Sequence, residues 1–329
     1  MTPDSNYDVL VAGEINPDLI LTGDVTPEFG QVEKLVDSAT LTIGSSSAIF
    51  ACGAERLGLK VAFIGVCGDD IFGRFMLEEM SRRGVDTSHV IVRSDRQTGL
   101  SVILNSGSDR AILTHPGTIA QLQASAITDD LLRQARHLHV ASYFLQMKLQ
   151  SDLPHLFRRA HALGLTTSLD PNYDTSEQWL GFDELLSVTD LFLLNQTEAL
   201  SITSSTDIES ASRQLATKAK LVAVKLGADG ALACVNSPLA SGQRLGPRAD
   251  WRSRVEAVRE IIRARSIPVS VADTVGAGDS FDAGLIYGYL KGWQIEKSLR
   301  LACVCGALST QKAGGTNGQP TLNEALKFL

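Results

Sequence analysis

The chain has 329 residues, 44% of them hydrophobic and 20% charged, with a formal net charge of −7. That composition is ordinary for a globular chain with no low-complexity tract, and the length suits one large domain or one large plus one small. A net negative chain argues against nucleic-acid binding, which usually relies on a basic patch, and no run approaches the length of a membrane span.

The N-terminus, MTPDSNYDVL, has neither the basic nor the apolar region of a secretory leader. Five cysteines occur, at 52, 67, 234, 303 and 305, with no CxxC pair. This reads as buried thiols in a reducing compartment, so the expected location is cytoplasmic.

In chain order, Val9–Ala12 is an apolar strand and Ala48–Leu57 a helix stopped by Gly58. Val61–Val66 is strand-like, and Ile71–Arg83 is helical, ending at Gly84. His137–Ala141, Thr166–Leu169, Leu191–Leu194 and Leu221–Leu226 are short, largely apolar runs beside helical patterns. Strands covered on both faces read this way, which implies parallel pairing and an α/β class. Leu19–Gly23, Leu41–Gly44, Leu100–Asn105 and Arg110–Thr114 break the rhythm and form a separate small sheet by their hairpin-like spacing. His115, His137 and His139 lack ligand-like partners and are taken as structural.

Ser241–Ser266 is arginine-rich, and within it Trp251–Ala264 fits an amphipathic helix with Val255, Val258, Ile261 and Ile262 on one stripe. Two readings stand: a solvated helical insertion, or a docking surface for a partner or anionic effector.

Asp273-Thr-Val-Gly-Ala-Gly-Asp-Ser-Phe-Asp-Ala-Gly284 carries the densest chemistry. Gly276-Ala277-Gly278 is nearly free of side chains and precedes a helix marked by Phe281, Leu285 and Tyr289. Backbone N–H groups at such a helix start, with the helix dipole, make an anion hole for charge on a transferring phosphoryl group. Asp279 in the first turn is either an acid complementing the dipole or a general base. Its place beside the glycine turn favours the base, because proton acceptor and anion hole then share one helical turn. Asp282 reads as an exposed helix acid. Gly284 and Gly288 cost helix stability, offset by close packing on Ala302, Gly306 and Thr310 of the next helix, Glu296–Gln311.

These residues resemble the PfkB carbohydrate kinase family, whose C-terminal signature reads DT-x-GAGD-x-F. Further segments resemble that family in order: Gly13-Glu-Ile-Asn16-Pro-Asp18, Gly44-Ser-Ser-Ser-Ala-Ile-Phe-Ala followed by Arg56-Leu-Gly58, and Gly65-Val-Cys-Gly-Asp-Asp-Ile-Phe-Gly73. Asp170-Pro-Asn172, Asn195-Gln-Thr-Glu198 and Lys225-Leu-Gly-Ala-Asp-Gly230 complete the set. Alone, Asn16-Pro-Asp18 and Asp170-Pro-Asn172 also read as turns, and Asn195–Glu198 as a helix cap.

The resemblance implies one ribokinase-like kinase domain over 1–329. This would be a three-layer α/β/α unit with a mainly parallel sheet and a small β-lid, its strands near 16–44 and 98–116, and the arginine-rich insertion near 241–266. It implies ATP, Mg²⁺ and γ-phosphoryl transfer to a sugar hydroxymethyl group. It makes Asp279 the base and Gly276, Ala277 and Gly278 the anion hole. Asn16, Asp18, Gly44 and Ser45 would hold the sugar, with Arg110 reaching in from the lid. Asn195 and Glu198 would organise Mg²⁺ largely through water, and Lys225 and Gly227 would line the nucleotide. Asp273 and Val275 match the monovalent-cation loop of members that use K⁺. Family lids often pair, which allows a homodimer.

The sequence departs from the family pattern at Ser45 in place of Gly, at Ile49 in place of a sugar-binding Asn, at Lys225 in place of Thr, and in the insertion. A nucleoside kinase of the same fold and a catalytically silent sugar- or nucleotide-binding relative are the competing readings. No GxGxxG follows the first strand and no GxxxxGK[ST] occurs, so dinucleotide-dehydrogenase and Walker-type chemistry are excluded.

Overall fold

The computed structural model describes residues 5–106, 109–236 and 259–329. Its strands are β1 (Tyr7–Ala12), β2 (Pro17–Thr22), β3 (Ser38–Ile43), β4 (Val61–Ile64), β5 (Val66–Gly68), β6 (Ile91–Arg93) and β7 (Leu100–Ser106). They continue with β8 (Asp109–His115), β9 (Ala135–Val140), β10 (Thr166–Leu169), β11 (Leu191–Asn195), β12 (Leu221–Lys225), β13 (Ala231–Asn236) and β14 (Arg259–Ala264). Eight of them form one sheet in the order β14-β13-β12-β11-β10-β9-β1-β4. From β12 to β4 every neighbour is parallel, whereas β13 and β14 are antiparallel additions at one edge.

The near-continuous apolar runs follow from burial on both faces. Successive strand residues point to opposite sides. Val9, Val11, Phe63, Leu191, Leu193 and Leu221 face one core, which they share with helices Ser46–Arg56, Ala277–Leu290 and Ile295–Ser309. Leu10, Leu138, Phe192, Leu194 and Val222 face the other, against helices Leu153–Ala162 and Ile208–Leu215. The result is three layers, helices on sheet on helices.

The four interrupting strands form a separate sheet in the order β3-β2-β7-β8. In it Asp18 lies opposite both Thr42 and Ser101. All five cysteines are buried. His137 and His139 are fully buried, and Ser168 Oγ lies 2.7 Å from His137 Nε2 and from His139 Nδ1. Burial pushes both imidazoles down to about 3, so they stay neutral and structural. Among the described residues no helix is long and apolar enough to cross a membrane.

One expected element is overturned. The expected helix Trp251–Ala264 is, where described, the strand β14, paired with β13 through Cys234↔Ile261 and Ala233↔Ile262. Ile261 and Ile262 pack toward opposite cores, a placement open to adjacent residues on a strand. A short apolar pair fits either period. Residues 237–258 of the arginine-rich segment lie outside the described residues.

Close helix packing holds in a modified form. A Cβ on Gly284 would meet Ala302 Cα at 2.8 Å, and one on Gly288 would meet Ser298 Oγ at 2.4 Å. Gly306 instead faces the Ala277 carbonyl, 3.0 Å from its would-be Cβ.

Candidate active site

The C-terminal ends of the parallel strands converge on one helix start, where open α/β sheets place their ligands. Asp170 follows β10, Asn195 and Lys225 close β11 and β12, and Glu14 follows β1. Opposite them begins helix Ala277–Leu290. Its cap, Gly276, has φ +71° and offers no side chain to the first-turn amides. A Cβ there would lie 2.8 Å from both the Gly315 carbonyl oxygen and Ile49 Cγ2, so backbone conformation and space both require glycine. Ala277 donates its N–H to the Thr274 carbonyl at 3.3 Å. The turn is half-buried, and Asp279 behind it is 7% exposed.

Asp170, Asp279 and Asp282 each offer a carboxylate oxygen within 4.8 Å of the others. Lys225 Nζ donates to Asp170 Oδ2 at 2.6 Å and to both Asp282 oxygens at 3.2 Å. Burial, then the Asp170 charge, hold Asp279 well above the usual carboxylate range. Burial likewise raises Asp282. Burial, the largest single influence, would also raise Asp170, but the Lys225 ammonium together with the hydrogen bonds from Asp282, Lys225 and Asn172 N–H outweighs it and the net shift is downward. The two shifts run in opposite directions, favouring the protonated form at Asp282 and the charged form at Asp170. The expectation that Asp282 is an exposed helix acid is wrong: it is 1% exposed and faces Lys225. The cluster that might have invited a divalent ion is already supplied with a cation by the chain.

Asn195 and Glu198 form a reciprocal cap. Glu198 N–H donates to Asn195 Oδ1 at 3.0 Å, and Asn195 N–H returns a bond to Glu198 Oε2 at 2.8 Å. Burial, then Asp170, push Glu198 up to about 7. Both the capping reading and the proximity to the acid cluster hold, since one does not exclude the other.

Asn16 Nδ2 lies 3.4 Å from Ser101 Oγ and 3.5 Å from Asp18 Oδ1. A Cβ on Gly44 would sit 2.2 Å from Asp18 Oδ1, so this glycine admits the carboxylate. Burial lifts Asp18 to about 7, against the pull of Arg110. Arg110 sits exposed on β8 of the small sheet. Ser45, at φ +65°, donates its hydroxyl to the Glu14 carbonyl at 2.7 Å and accepts from Ala48 N–H at 3.0 Å. The serine that replaces glycine thus caps helix Ser46–Arg56. Ile49 is buried between Gly276 and Gly315, so the position of the expected asparagine holds an apolar wedge. Asp273 accepts from Val275 N–H at 3.0 Å and Gly314 N–H at 2.8 Å. Gly227, at φ +59°, opens a turn after β12 with nothing within 4 Å of a would-be Cβ.

Sequence reasoning missed two groups besides Asp282. Ser46 hydrogen-bonds Asp279 and accepts from Asn172 Nδ2 at 2.6 Å. Glu14 Oε1 accepts from Ser142 Oγ at 2.9 Å, and its Oε2 accepts from Ser47 Oγ at 2.6 Å. Only the i, i+3 spacing of Asp279 and Asp282, which puts both on one helix face, offered a signal.

The family described as pfkB family carbohydrate kinase matches residues 6–322. The chain belongs to that family. This pfkB-family kinase is therefore a phosphotransferase with an alcohol acceptor, built on a ribokinase-like fold. It is 31% identical over 269 residues to a sugar kinase of Archaeoglobus fulgidus, covering 82% of this chain and 98% of that one. To the 5-dehydro-2-deoxygluconokinase of Geobacillus thermodenitrificans it is 27% identical, covering 88% and 85%. The Arabidopsis thaliana ribokinase complexed with ribose and ATP superposes with a TM-score of 0.81 at 22% identity, covering 98% of each chain.

Proposed function

We propose that this kinase transfers the γ-phosphoryl group of ATP to a hydroxymethyl group of a sugar or sugar acid. The observation that carries the reading is the buried Asp279 carboxylate in the first turn of a glycine-capped helix. The acceptor hydroxyl donates to Asp279, which takes its proton as the oxygen attacks. A carboxylate held above its ordinary range binds that proton more readily than a solvated one. The Gly276, Ala277 and Gly278 backbone then faces the charge developing on the migrating phosphoryl group.

Asn16 and Asp18 hold sugar hydroxyls, with the Gly44–Ser45 backbone beside them. Arg110 adds a positive charge close enough to act on Asp18, which suits an acceptor bearing a carboxylate. The open turn at Gly227 lines the nucleotide, with Lys225 beside it held by Asp170 and Asp282. The Asn195–Glu198 pair fits Mg²⁺ held largely through water, because burial and Asp170 leave Glu198 in want of positive charge. When bound, Mg²⁺ supplies charge neutralisation at the phosphates. Asp273 spends both oxygens on amides, so a K⁺ at the Asp273–Val275 loop would rest mainly on backbone carbonyls.

The test is a panel of ribose, fructose, 2-dehydro-3-deoxygluconate, 5-dehydro-2-deoxygluconate and adenosine with Mg·ATP. Each is run with and without K⁺ and followed by coupled ADP release. Turnover with a sugar or sugar acid supports the proposal. Turnover confined to adenosine replaces it with the nucleoside reading. Acceptor-independent ATP loss, or none at all, rejects it.

A further inference from the structure

The ammonium of Lys225 stands at the end of β12 with its side chain 14% exposed, and it does not point into open space. It is spent on Asp170 at 2.6 Å and on both oxygens of Asp282 at 3.2 Å. It also lies against the catalytic turn, 3.4 Å from where a Cβ of Gly278 would be. Asp279 belongs to the same carboxylate cluster, all within 4.8 Å. Like charges that close, away from water, do not both ionise near neutrality. A kinase that needs Asp279 as an anion therefore has a difficulty built into its own site: the charged Asp170 beside the base.

We propose that Lys225 is an internal counter-ion whose ammonium neutralises Asp170 and so leaves Asp279 free to ionise and accept the proton. The inference rests on the reading of Asp279 as base. Lys225 is then a positioning residue, acting through the electrostatics of Asp279. The groups facing Asp279 are Asp170 after β10, Lys225 on β12, Glu14 after β1, Ser46 at the start of its helix, and Asp282 one turn along its own helix. Of these, Lys225 is the cation. Asp282, which burial biases toward its protonated form, shares the same ammonium. This gives Lys225 a role at the position where the family pattern has Thr, with the acid three residues after the base sharing its ammonium.

The sign follows directly. The base works above its pKa, and activity falls as pH drops through it. Removing Lys225 exposes Asp279 to the Asp170 charge, raises that pKa, and moves the acid limb of the kcat profile to higher pH. For K225M we expect the limb to rise by at least about one pH unit. We also expect roughly a tenfold or greater loss at pH 7 that recovers toward pH 9. K225M/D170N removes both charges and returns the limb to within about half a unit of wild type. The measurement is kcat against pH from 5 to 9 with Mg·ATP and the acceptor identified by the panel. Far-UV circular dichroism and Mg·ADP binding check the fold of each variant. K225T is measured in parallel as a second, smaller exchange, and the same shift is expected.

A limb that stays in place while the rate or the KM for ATP suffers would show Lys225 acting on the nucleotide or on packing, and would overturn the inference. So would a double variant that stays shifted. D279N separates this failure from failure of the underlying reading. If D279N keeps its turnover, the base is wrong. If D279N is dead at every pH and K225M leaves the limb in place, only the counter-ion is wrong.

Discussion

Replacing Asp279 by Asn should make the protein slower and sturdier together. The base is lost, and general-base catalysis contributes about 100- to 10,000-fold, so kcat should fall by that factor, about 2.7–5.5 kcal/mol of barrier. The stability gain comes from the same residue. Asp279 is 7% exposed, and its proton is held well above the ordinary range by burial and by Asp170. A group whose folded pKa exceeds its unfolded value stabilises the fold while protonated, and that contribution is lost as pH rises through the folded pKa. Wild type therefore gives up stability with rising pH, whereas Asn does not. Thermal melts from pH 5 to pH 8 should show D279N above wild type by a margin that widens as pH increases. Single-turnover ADP formation and Mg·ADP titration in the same buffers separate chemistry from binding. A kcat within tenfold of wild type would sink the base. A margin that is flat or narrows with pH would refute the electrostatic argument.

Three further outcomes follow from the geometry. G44A places a methyl group where Asp18 Oδ1 now sits, 2.2 Å from the new carbon. It should raise the acceptor KM about 10- to 150-fold, the worth of one charged hydrogen bond, with a smaller change in the KM for ATP. E198Q removes the carboxylate of the Asn195 cap and should raise the Mg²⁺ concentration for half-maximal rate about 10- to 100-fold, read by titrating Mg²⁺ at fixed ATP. G284A gains about 1 kcal/mol of helix propensity but drives a carbon to 2.8 Å from Ala302 Cα. Overpacking against backbone costs about 1–3 kcal/mol, so the urea midpoint should fall, and a rise would show that the two helices are not in backbone contact.

The sheet was legible because burial on both faces leaves nothing but apolar residues in Val9–Ala12, Leu191–Leu194 and Leu221–Val224. The glycine-capped helix start was legible because Gly276 and Gly278 have no other use in such a run. Asp282 was not, because its burial depends on Lys225, 57 residues upstream, and a helix acid with a distant partner looks like a solvated one. The strand β14 was misread because Ile261 and Ile262 serve helix and strand periods alike, and only pairing with Cys234 and Ala233 decides between them. Ser45 looked like a weakened glycine signature. Its hydroxyl turns out to cap a helix that glycine would have left uncapped.

Ile49 joins two tasks that enzymes often keep apart. It lies in the first turn of the helix capped by Ser45, and its side-chain carbons fill the gap between Gly276 and Gly315. Under the proposed function, whatever stands at 49, where the family pattern has a sugar-binding Asn, also props the Gly276 turn with the same atoms. Drift in sugar preference through this position is tethered to turnover, and a lineage changing its diet here would have to remodel residue 315 in step.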